Sequence, residues 1–192
     1  NGASPVFIAA QQGQTEALQV LLAAGADPKQ EANNGCTPVH AAAARGHTEA
    51  LKVLVPAGGD PNQAGTEGAT PVSDNNGASP VFIAAQQGQT EALQVLLAAG
   101  ADPKQASNSG RTPVYIAAGM GHTEALKVLL AAGADPKQAA NDGATPLHMA
   151  AYEGQLQATE CLLRAGADKT CLDTGGESAL DWATAEYLVP DE

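Results

Sequence analysis

The feature that most constrains this chain is a glycine that returns every 33 residues. The same step separates the members of two series, which are Gly2, Gly35 and Gly68, then Gly77, Gly110, Gly143 and Gly176. Such a period indicates a row of small structural units, none of which can bury a core by itself. Each unit must pack on its neighbours, so the sequence predicts an elongated stack rather than one globular core.

One complete unit reads SGRTPVYIAAGMGHTEALKVLLAAGADPKQA, and its capping and turn residues predict two helices. Thr112 is a good N-cap, and Pro113 suits the first position of a helix, where a missing N–H costs nothing. Gly121 is suited to the left-handed residue that ends a helix. Thr123 then starts a second helix, and Glu124 is favourably placed in its first turn. The expected unit is a helix, a tight turn and a second helix.

The second helix of this unit carries leucines at helical spacing. Leu126, Leu129 and Leu130 recur on one face and are expected to be buried. Gly133 ends the helix, and the ADPKQAANDG that follows has the composition of an extended turn. Because each helix is too short to be stable alone, the unit needs neighbouring units on both sides.

These motifs resemble the ankyrin repeat, a family of turn-helix-helix units. The resemblance is carried by TPVH at 37–40, LLAAGADP at 96–103 and TPLHMAA at 145–151, and it covers nearly the whole chain. It implies an all-α fold, an ankyrin-repeat solenoid of helix-turn-helix units with short β-hairpin loops and one concave side. It also implies a scaffold for protein-protein interaction that binds a protein or peptide, without indicating which one.

The chain departs from the family pattern at the histidine of the TPVH tetrapeptide. That histidine is kept only at His40 and His148. The other units hold different residues there, namely Phe7, Ser73, Phe82 and Tyr115. We therefore expect fewer hydrogen bonds between neighbouring turns than an idealised array of this family would have.

The regular spacing fails once, between Gly68 and Gly77, where the step is nine residues. Residues 1–30 and 76–105 are identical, which indicates a block of repeats used twice, with the third repeat of the first block cut short. The expected organisation follows from this pattern. It is two ankyrin-type repeats over 1–66, a truncated repeat or loop insertion over 67–75, three repeats over 76–174 and a capping half-repeat over 175–192.

The sequence allows two accounts of the short segment. Either nine extra residues lengthen the turn between two helix pairs, or 24 residues of a full repeat are missing after Ser73. Consecutive Cα atoms lie about 3.8 Å apart. A missing helix pair would instead separate Ser73 from Asp74 by roughly 10 Å, the packing distance of helices. We favour the second account, and this distance decides between the two.

A neighbouring irregularity lies in the second repeat, which reads LVPAGGDP where other units read LLAAGADP. Pro56 falls in the expected last turn of a helix, and a proline costs about 3 kcal/mol in a helix interior because it removes a hydrogen bond. Gly59 adds backbone freedom to the same turn. The weakest part of the stack is therefore expected between residues 55 and 80.

Charge and cysteine content argue against several classes of function. The net charge is −12 with only nine Lys and Arg residues, so neither nucleic acid nor an anionic membrane is an expected partner. No apolar run reaches the roughly 18 residues of a membrane span, and no signal peptide is expected. The three cysteines lack CxxC spacing, which argues against a disulfide framework or a zinc site. A monomeric intracellular protein, cytoplasmic or nuclear, is predicted.

No arrangement of residues predicts catalysis, a cofactor or a metal. His47 and His122 recur at the start of second helices, and His40 and His148 recur in the turns, so all four belong to the template of the fold. HExxH, GxSxG and phosphate-binding glycine motifs are absent from the sequence. We therefore do not expect an enzyme.

Binding then has to come from positions that the repeat does not need, which in the ankyrin family are the turn tip and the exposed end of the first helix. Aromatic, methionine and arginine side chains dominate interface energies, and they predict a patch from Arg111 to Tyr152. The candidate partner-binding residues are Arg45, Gln86, Gln87, Arg111, Met120, Tyr152 and Glu153. In the alternative, Met120 and Tyr152 only pack on adjacent repeats.

Two further questions stay open at this point. The identical, glutamine-rich copies are compatible with a structural spacer, or an engineered or duplicated fragment, that has no specific partner. The final GGESALDWATAEYLVPDE keeps a first helix but lacks the leucine pattern of a second helix, which predicts a cap. Trp182 and Leu188 would then cover the fifth repeat, although Trp182 could instead anchor a ligand.

Overall fold

The computed structural model describes residues 2–65 and 77–185. Over these ranges the chain forms eleven short helices and no strand, and none of these helices is long and apolar enough to cross a membrane. The helices are α1 (Pro5–Gln11), α2 (Thr15–Ala23), α3 (Pro38–Arg45), α4 (Thr48–Leu54), α5 (Pro80–Gln86), α6 (Thr90–Ala98), α7 (Pro113–Gly119), α8 (Thr123–Ala131), α9 (Pro146–Tyr152), α10 (Leu156–Arg164) and α11 (Ala179–Ala185).

The first helix of each complete pair begins with a Ser or Thr N-cap followed by proline, as the sequence predicts. The hydroxyl of Thr112 accepts a 3.1 Å hydrogen bond from the N–H of Tyr115. Ser79 caps the N–H of Phe82 in the same way at 3.2 Å. These bonds satisfy an N–H group that has no partner inside the helix, and they fix where each first helix begins.

The helices begin and end within two residues of the capping and turn residues that the sequence predicts. Helix α7 ends at Gly119 with Met120 as its C-cap, and Gly121 then adopts the left-handed conformation at φ 70°. Helix α8 begins at Thr123, as predicted. A residue with a side chain is strained at this φ, so glycine at 121 allows the tight turn that brings the two helices of the pair together.

The helices pack in two rows. The first helices follow one another as α1, α3, α5, α7, α9 and α11, and the second helices as α2, α4, α6, α8 and α10. The core between the rows consists mainly of alanine and leucine, including Ala42, Leu51, Ala85, Leu93 and Leu126, each fully buried. The predicted all-α solenoid of helix-turn-helix units is confirmed.

The loops between helix pairs turn back through short hairpin-like tips. Each of four tips is closed by a 2.9 Å backbone hydrogen bond across the turn, with a second backbone hydrogen bond from the turn glycine inside it. The bonds across the turn run from Ala32 N to Cys36 O, Ser107 N to Arg111 O, Ala140 N to Ala144 O and Asp173 N to Glu177 O. In the described residues the β pairing extends no further than one antiparallel bridge, between Leu172 and Ser178.

The repeat that begins at Gly77 packs directly on the repeat that ends at Gly65. Helix α5 packs on α3, and α6 packs on α4. The N–H of Gly65 donates to Ala78 O at 2.9 Å, and the N–H of Gly77 donates to Gly65 O at 3.0 Å. These bonds match the ones that close the Ala32–Cys36 turn. The expected truncated repeat at 67–75 and the Ser73–Asp74 distance lie outside the described residues.

The structure corrects the interpretation of Pro56 and Gly59. Helix α4 ends at Leu54, seven residues long where α2 and α6 have nine, so Pro56 follows the helix instead of interrupting its last turn. Gly59 is buried, and a Cβ there would lie 2.8 Å from Val39 Cγ2 and 2.9 Å from Leu54 O. The missing side chain at Gly59 therefore allows close packing after a shortened helix.

Candidate binding surface

The candidate surface consists of one turn-tip position and two positions at the C-terminal end of each first helix, the second of which is the C-cap except in α3. We call these positions together the first-helix surface. At the turn tips they are Ala3, Cys36, Ala78, Arg111 and Ala144, and at the helix ends they are Gln11–Gln12, Ala44–Arg45, Gln86–Gln87, Gly119–Met120 and Tyr152–Glu153. Because the stack places the first helices side by side, these positions form continuous rows across the repeats.

The first three repeats present small or polar groups on the first-helix surface. Gln87 and Arg45 are exposed, and Gln86 is half-buried. The backbone of Gln86 takes part in the stack, because its carbonyl oxygen lies 3.1 Å from Nε2 of His122 in the next repeat. The side chain of Cys36 is buried, and burial, followed by the charge of Glu31, raises the pKa of its thiol. Cys36 is therefore held in its protonated form and packs as a small apolar residue.

Arg111 is held in place by an aromatic ring. Its guanidinium carbon lies 5.5 Å from the centre of the Tyr115 ring, and Tyr115 is buried at the start of α7. A cation over the face of an aromatic ring is attracted by the ring quadrupole. The sequence-predicted arginine is therefore half-buried and positioned.

Met120 and Tyr152 are the large apolar side chains that the structure leaves open on this surface. Met120 is 48% exposed and Tyr152 is 42% exposed. Tyr152 also packs edge-on against Trp182, with ring centres 5.8 Å apart and an angle of 77°. Packing on a neighbouring repeat therefore accounts for only part of the Tyr152 side chain, and Glu153 beside it is exposed as well.

Met149 and Trp182 connect these residues, although Met149 is not among the residues predicted from the sequence. Met149 is half-buried and packs in one cluster with Tyr115 and Trp182. It lies directly over Gly119, where a Cβ would be 2.6 Å from Met149 Cγ. The sequence contains one sign of this pairing, because residues 149 and 182 occupy the same position in successive repeats. Their contacts, however, depend on how the repeats stack. We define Arg111, Met120, Met149, Tyr152 and Trp182 as the C-terminal patch.

Trp182 is anchored by polar and aromatic contacts. Its indole N–H donates to Asp173 Oδ2 at 3.0 Å, and its ring lies 5.5 Å from the ring of His148. The N–H of Glu177 also donates to Asp173, and these two hydrogen bonds, that of Glu177 first, hold the pKa of the Asp173 carboxyl below its usual range. Trp182 is thus fixed beside Tyr152 and stiffens the C-terminal patch.

The histidines take part in the stacking of the repeats. Nε2 of His40 lies 3.1 Å from Ala78 O, and Nε2 of His148 lies 3.1 Å from Glu177 O. His47 makes the corresponding contact with the carbonyl oxygen of Gln11. In residues 2–65 and 77–185, no group of three or more His, Cys, Asp or Glu side chains is arranged to hold a metal ion.

The geometry defines a class of protein, a solenoid of stacked helix pairs with short turn tips. The family model described as Ankyrin repeats (3 copies) matches residues 6–107 and 66–140, and the model described as Ankyrin repeats (many copies) matches residues 120–163. The chain belongs to the ankyrin repeat family. A comparison with curated proteins found no match. Ankyrin repeats are in general modules for protein-protein interaction and are typically non-enzymatic scaffolds.

Proposed function

We propose that this protein binds a protein or peptide partner on its concave side, with the C-terminal patch as the main contact. The observation that carries the proposal is the exposure of Met120 and Tyr152 at positions that the stack does not require. Large apolar side chains left open on a surface of otherwise small and polar residues mark an interaction site.

The chemistry of the C-terminal patch fits a binding centre. Tyrosine, tryptophan and arginine are the residue types whose truncation costs interfaces most. Tyr152 packs edge-on against Trp182, and Arg111 lies over the ring of Tyr115. The side chains of Tyr152 and Arg111 are therefore already ordered before a partner binds. Side chains ordered before binding lose less entropy on association, which raises affinity. Met120 adds a flexible side chain that adapts to the surface of the partner.

The remaining candidates form a polar edge around this centre. Glu153 and Arg45 are exposed and carry opposite charges, while Gln86 and Gln87 offer amide groups. Polar residues at the rim of an interface contribute little energy each but set orientation and specificity. We therefore assign them a secondary part in partner binding.

We also propose that the protein acts as a monomeric, non-enzymatic scaffold inside the cell, in the cytoplasm or nucleus. All three cysteines are free thiols in the structure, which supports a reducing compartment. The net charge of −12 supports a protein partner over nucleic acid.

The proposal is tested by affinity capture from cell extract with three versions of the chain. These are the wild type, Met120→Ser/Tyr152→Ser, and the control Val20→Ser. Val20 is 69% exposed on α2, so the control also removes apolar surface, away from the C-terminal patch. Circular dichroism melts check that all three fold alike.

A partner retained by the wild type and the control but lost by the double variant supports the proposal. Equal capture by all three versions overturns the choice of surface. Capture of nothing above background by the wild type favours the alternative of a structural spacer, or an engineered or duplicated fragment, without a specific partner.

A further inference from the structure

A second surface lies at the C-terminal end of the stack, away from the C-terminal patch. Helices α9, α10 and α11 enclose an open cavity of about 480 Å³. Its lining is mainly apolar and includes Leu147, Ala150, Leu156, Leu163, Ala179 and Leu180. We call it the C-terminal groove.

The exposure of Leu180 indicates that the groove lies where a second helix would pack on α11. In the five complete repeats, the residue at this position is buried, with at most 3% of its surface exposed; these residues are Val6, Val39, Val81, Val114 and Leu147. Leu180 is 72% exposed. The first helix α11 thus presents a core residue that has no second helix to cover it in the part of the chain that the structure describes.

The neighbouring helix α10 also leaves apolar side chains exposed at this end of the stack. Leu163 is 44% exposed, although the residues at its position in the earlier repeats are half-buried; these are Leu22, Val55, Leu97 and Leu130. Each earlier second helix packs against the next one in its row, whereas α10 is the last member among the described residues. Leu156, at a position where the other second helices carry threonine, is 70% exposed on the same helix.

The groove therefore continues an interface that the molecule already uses four times, from α2 to α4, α6, α8 and α10. We propose that the C-terminal groove is a docking site for an amphipathic helix of a partner protein, which takes the next place in the row of second helices. Helix-in-groove binding of this kind relies on apolar anchors at i, i+3 and i+4 of the bound helix.

The earlier helices of the row define the chemistry of the partner. In α8 the residues turned into the core are Ala125, Leu126 and Leu129, all buried. A helix in the groove must present an equivalent set, an alanine and two leucines three residues apart, towards Leu180 and Leu163. Its opposite face remains in water and is polar.

The experiment uses a fluorescent peptide with the sequence GHTEALKVLLAAGADP, which the chain itself uses at 121–136. Binding to the full chain is followed by fluorescence anisotropy. We expect saturable binding that weakens by about tenfold or more in Leu180→Glu, because a carboxylate in an apolar contact remains unpaired. The matched control Val20→Glu changes an exposed apolar residue elsewhere and leaves the affinity unchanged. A peptide with serine for its first and second leucines, which correspond to Leu126 and Leu129, must not bind.

Other occupants give different results. Absence of saturable binding to the wild type, or equal binding by Leu180→Glu, overturns the proposal. Binding that appears only after Tyr187→Ser/Leu188→Ser assigns the groove to the chain's own residues 186–192 and also overturns it. If a second copy fills the groove with its own α2, which carries the exposed Val20, the chain associates head to tail. Concentration-dependent self-association in sedimentation experiments that Val20→Glu abolishes would show this and also overturn the proposal. Because Met120 and Tyr152 are not in the groove, these outcomes are independent of the proposed function.

Discussion

Nε2 of His40 donates a 3.1 Å hydrogen bond to the carbonyl oxygen of Ala78, which lies 38 positions further along the chain. The other ring nitrogen, Nδ1, accepts from the N–H of Thr37 at 3.2 Å. A carbonyl oxygen can only accept and an N–H can only donate, so the neutral imidazole with its proton on Nε2 satisfies both partners. His40 therefore joins two repeats through a protonation state that acid removes.

The stability of the protein is expected to fall on mild acidification because of His40. Burial lowers the pKa of His40 from its ordinary value of 6.5, while the bond to Ala78 and the charges of Glu31 and Asp60 oppose this shift. The unfolded chain therefore takes up a proton at a higher pH than the folded chain does. The stabilisation is complete above the unfolded pKa and is lost as pH falls towards the folded pKa.

The check is urea unfolding of the wild type and His40→Gln at about pH 7.5 and pH 5.5, on either side of the unfolded pKa. The wild type should lose more free energy of unfolding between the two pH values than the variant, since other titrating groups are common to both. Equal losses in the two proteins contradict the assignment to His40.

The identical sequences of α2 and α6 allow a comparison of one residue in two environments. Val20 is 69% exposed at the end of the stack, whereas Val95 is half-buried and packs against the core. Val95→Ala should lower the free energy of unfolding by about 1 kcal/mol, and Val20→Ala by less than about 0.5 kcal/mol. Denaturant titration measures both, and equal losses would show that α4 does not cover α6 as described.

Gly119 and Met149 should behave as a matched pair. Gly119→Gln introduces the residue found at the equivalent positions 11 and 86, and its Cβ meets Met149 Cγ at 2.6 Å. We expect a loss of about 1–3 kcal/mol of unfolding free energy. Met149→Ala in the same chain should recover at least half of the loss, because the smaller alanine leaves room for the new side chain. Additive losses in this double-mutant cycle contradict the packing of Met149 on Gly119.

Gly59 should be intolerant of alanine although the other repeats carry alanine at its position, namely Ala26, Ala101, Ala134 and Ala167. Gly59→Ala brings a Cβ to 2.8 Å from Val39 and is expected to cost about 1–3 kcal/mol of unfolding free energy. Pro56→Ala/Gly59→Ala should cost less than Gly59→Ala alone, because α4 can then extend as α2 does. If Gly59→Ala left the free energy of unfolding unchanged, the shortened helix would not require glycine at this position.

Much of the fold could be predicted from the sequence because its determinants are local. Thr112 followed by proline fixes the start of α7, and glycine at 121 fixes the turn, whatever surrounds them. Leu126 and Leu129 of α8 are buried where helical periodicity places them, whereas Leu130, also expected to be buried, is half-buried. Such signals repeat at a constant step, and this is why the family could be recognised from a few motifs.

The contacts that shape the candidate surfaces could not be predicted, because they join residues about one repeat apart whose distances depend on the stack. Met149 fits over Gly119 only because α9 packs on α7. Pro56 was expected to damage the last turn of a helix, but α4 ends at Leu54, before the proline, and is two residues shorter than α2 and α6. The exposure of Leu180 likewise depends on three-dimensional packing, because no second helix covers it within residues 77–185.

The most direct test of the central claim is amide hydrogen exchange of the chain alone and in complex with the captured partner. We expect slower exchange in the complex at residues 111–121 and 144–154, which carry all of the C-terminal patch except Trp182, with no change over α2. Protection confined to the second helices, or to the turn-and-helix segments of the first two repeats, would contradict the central claim.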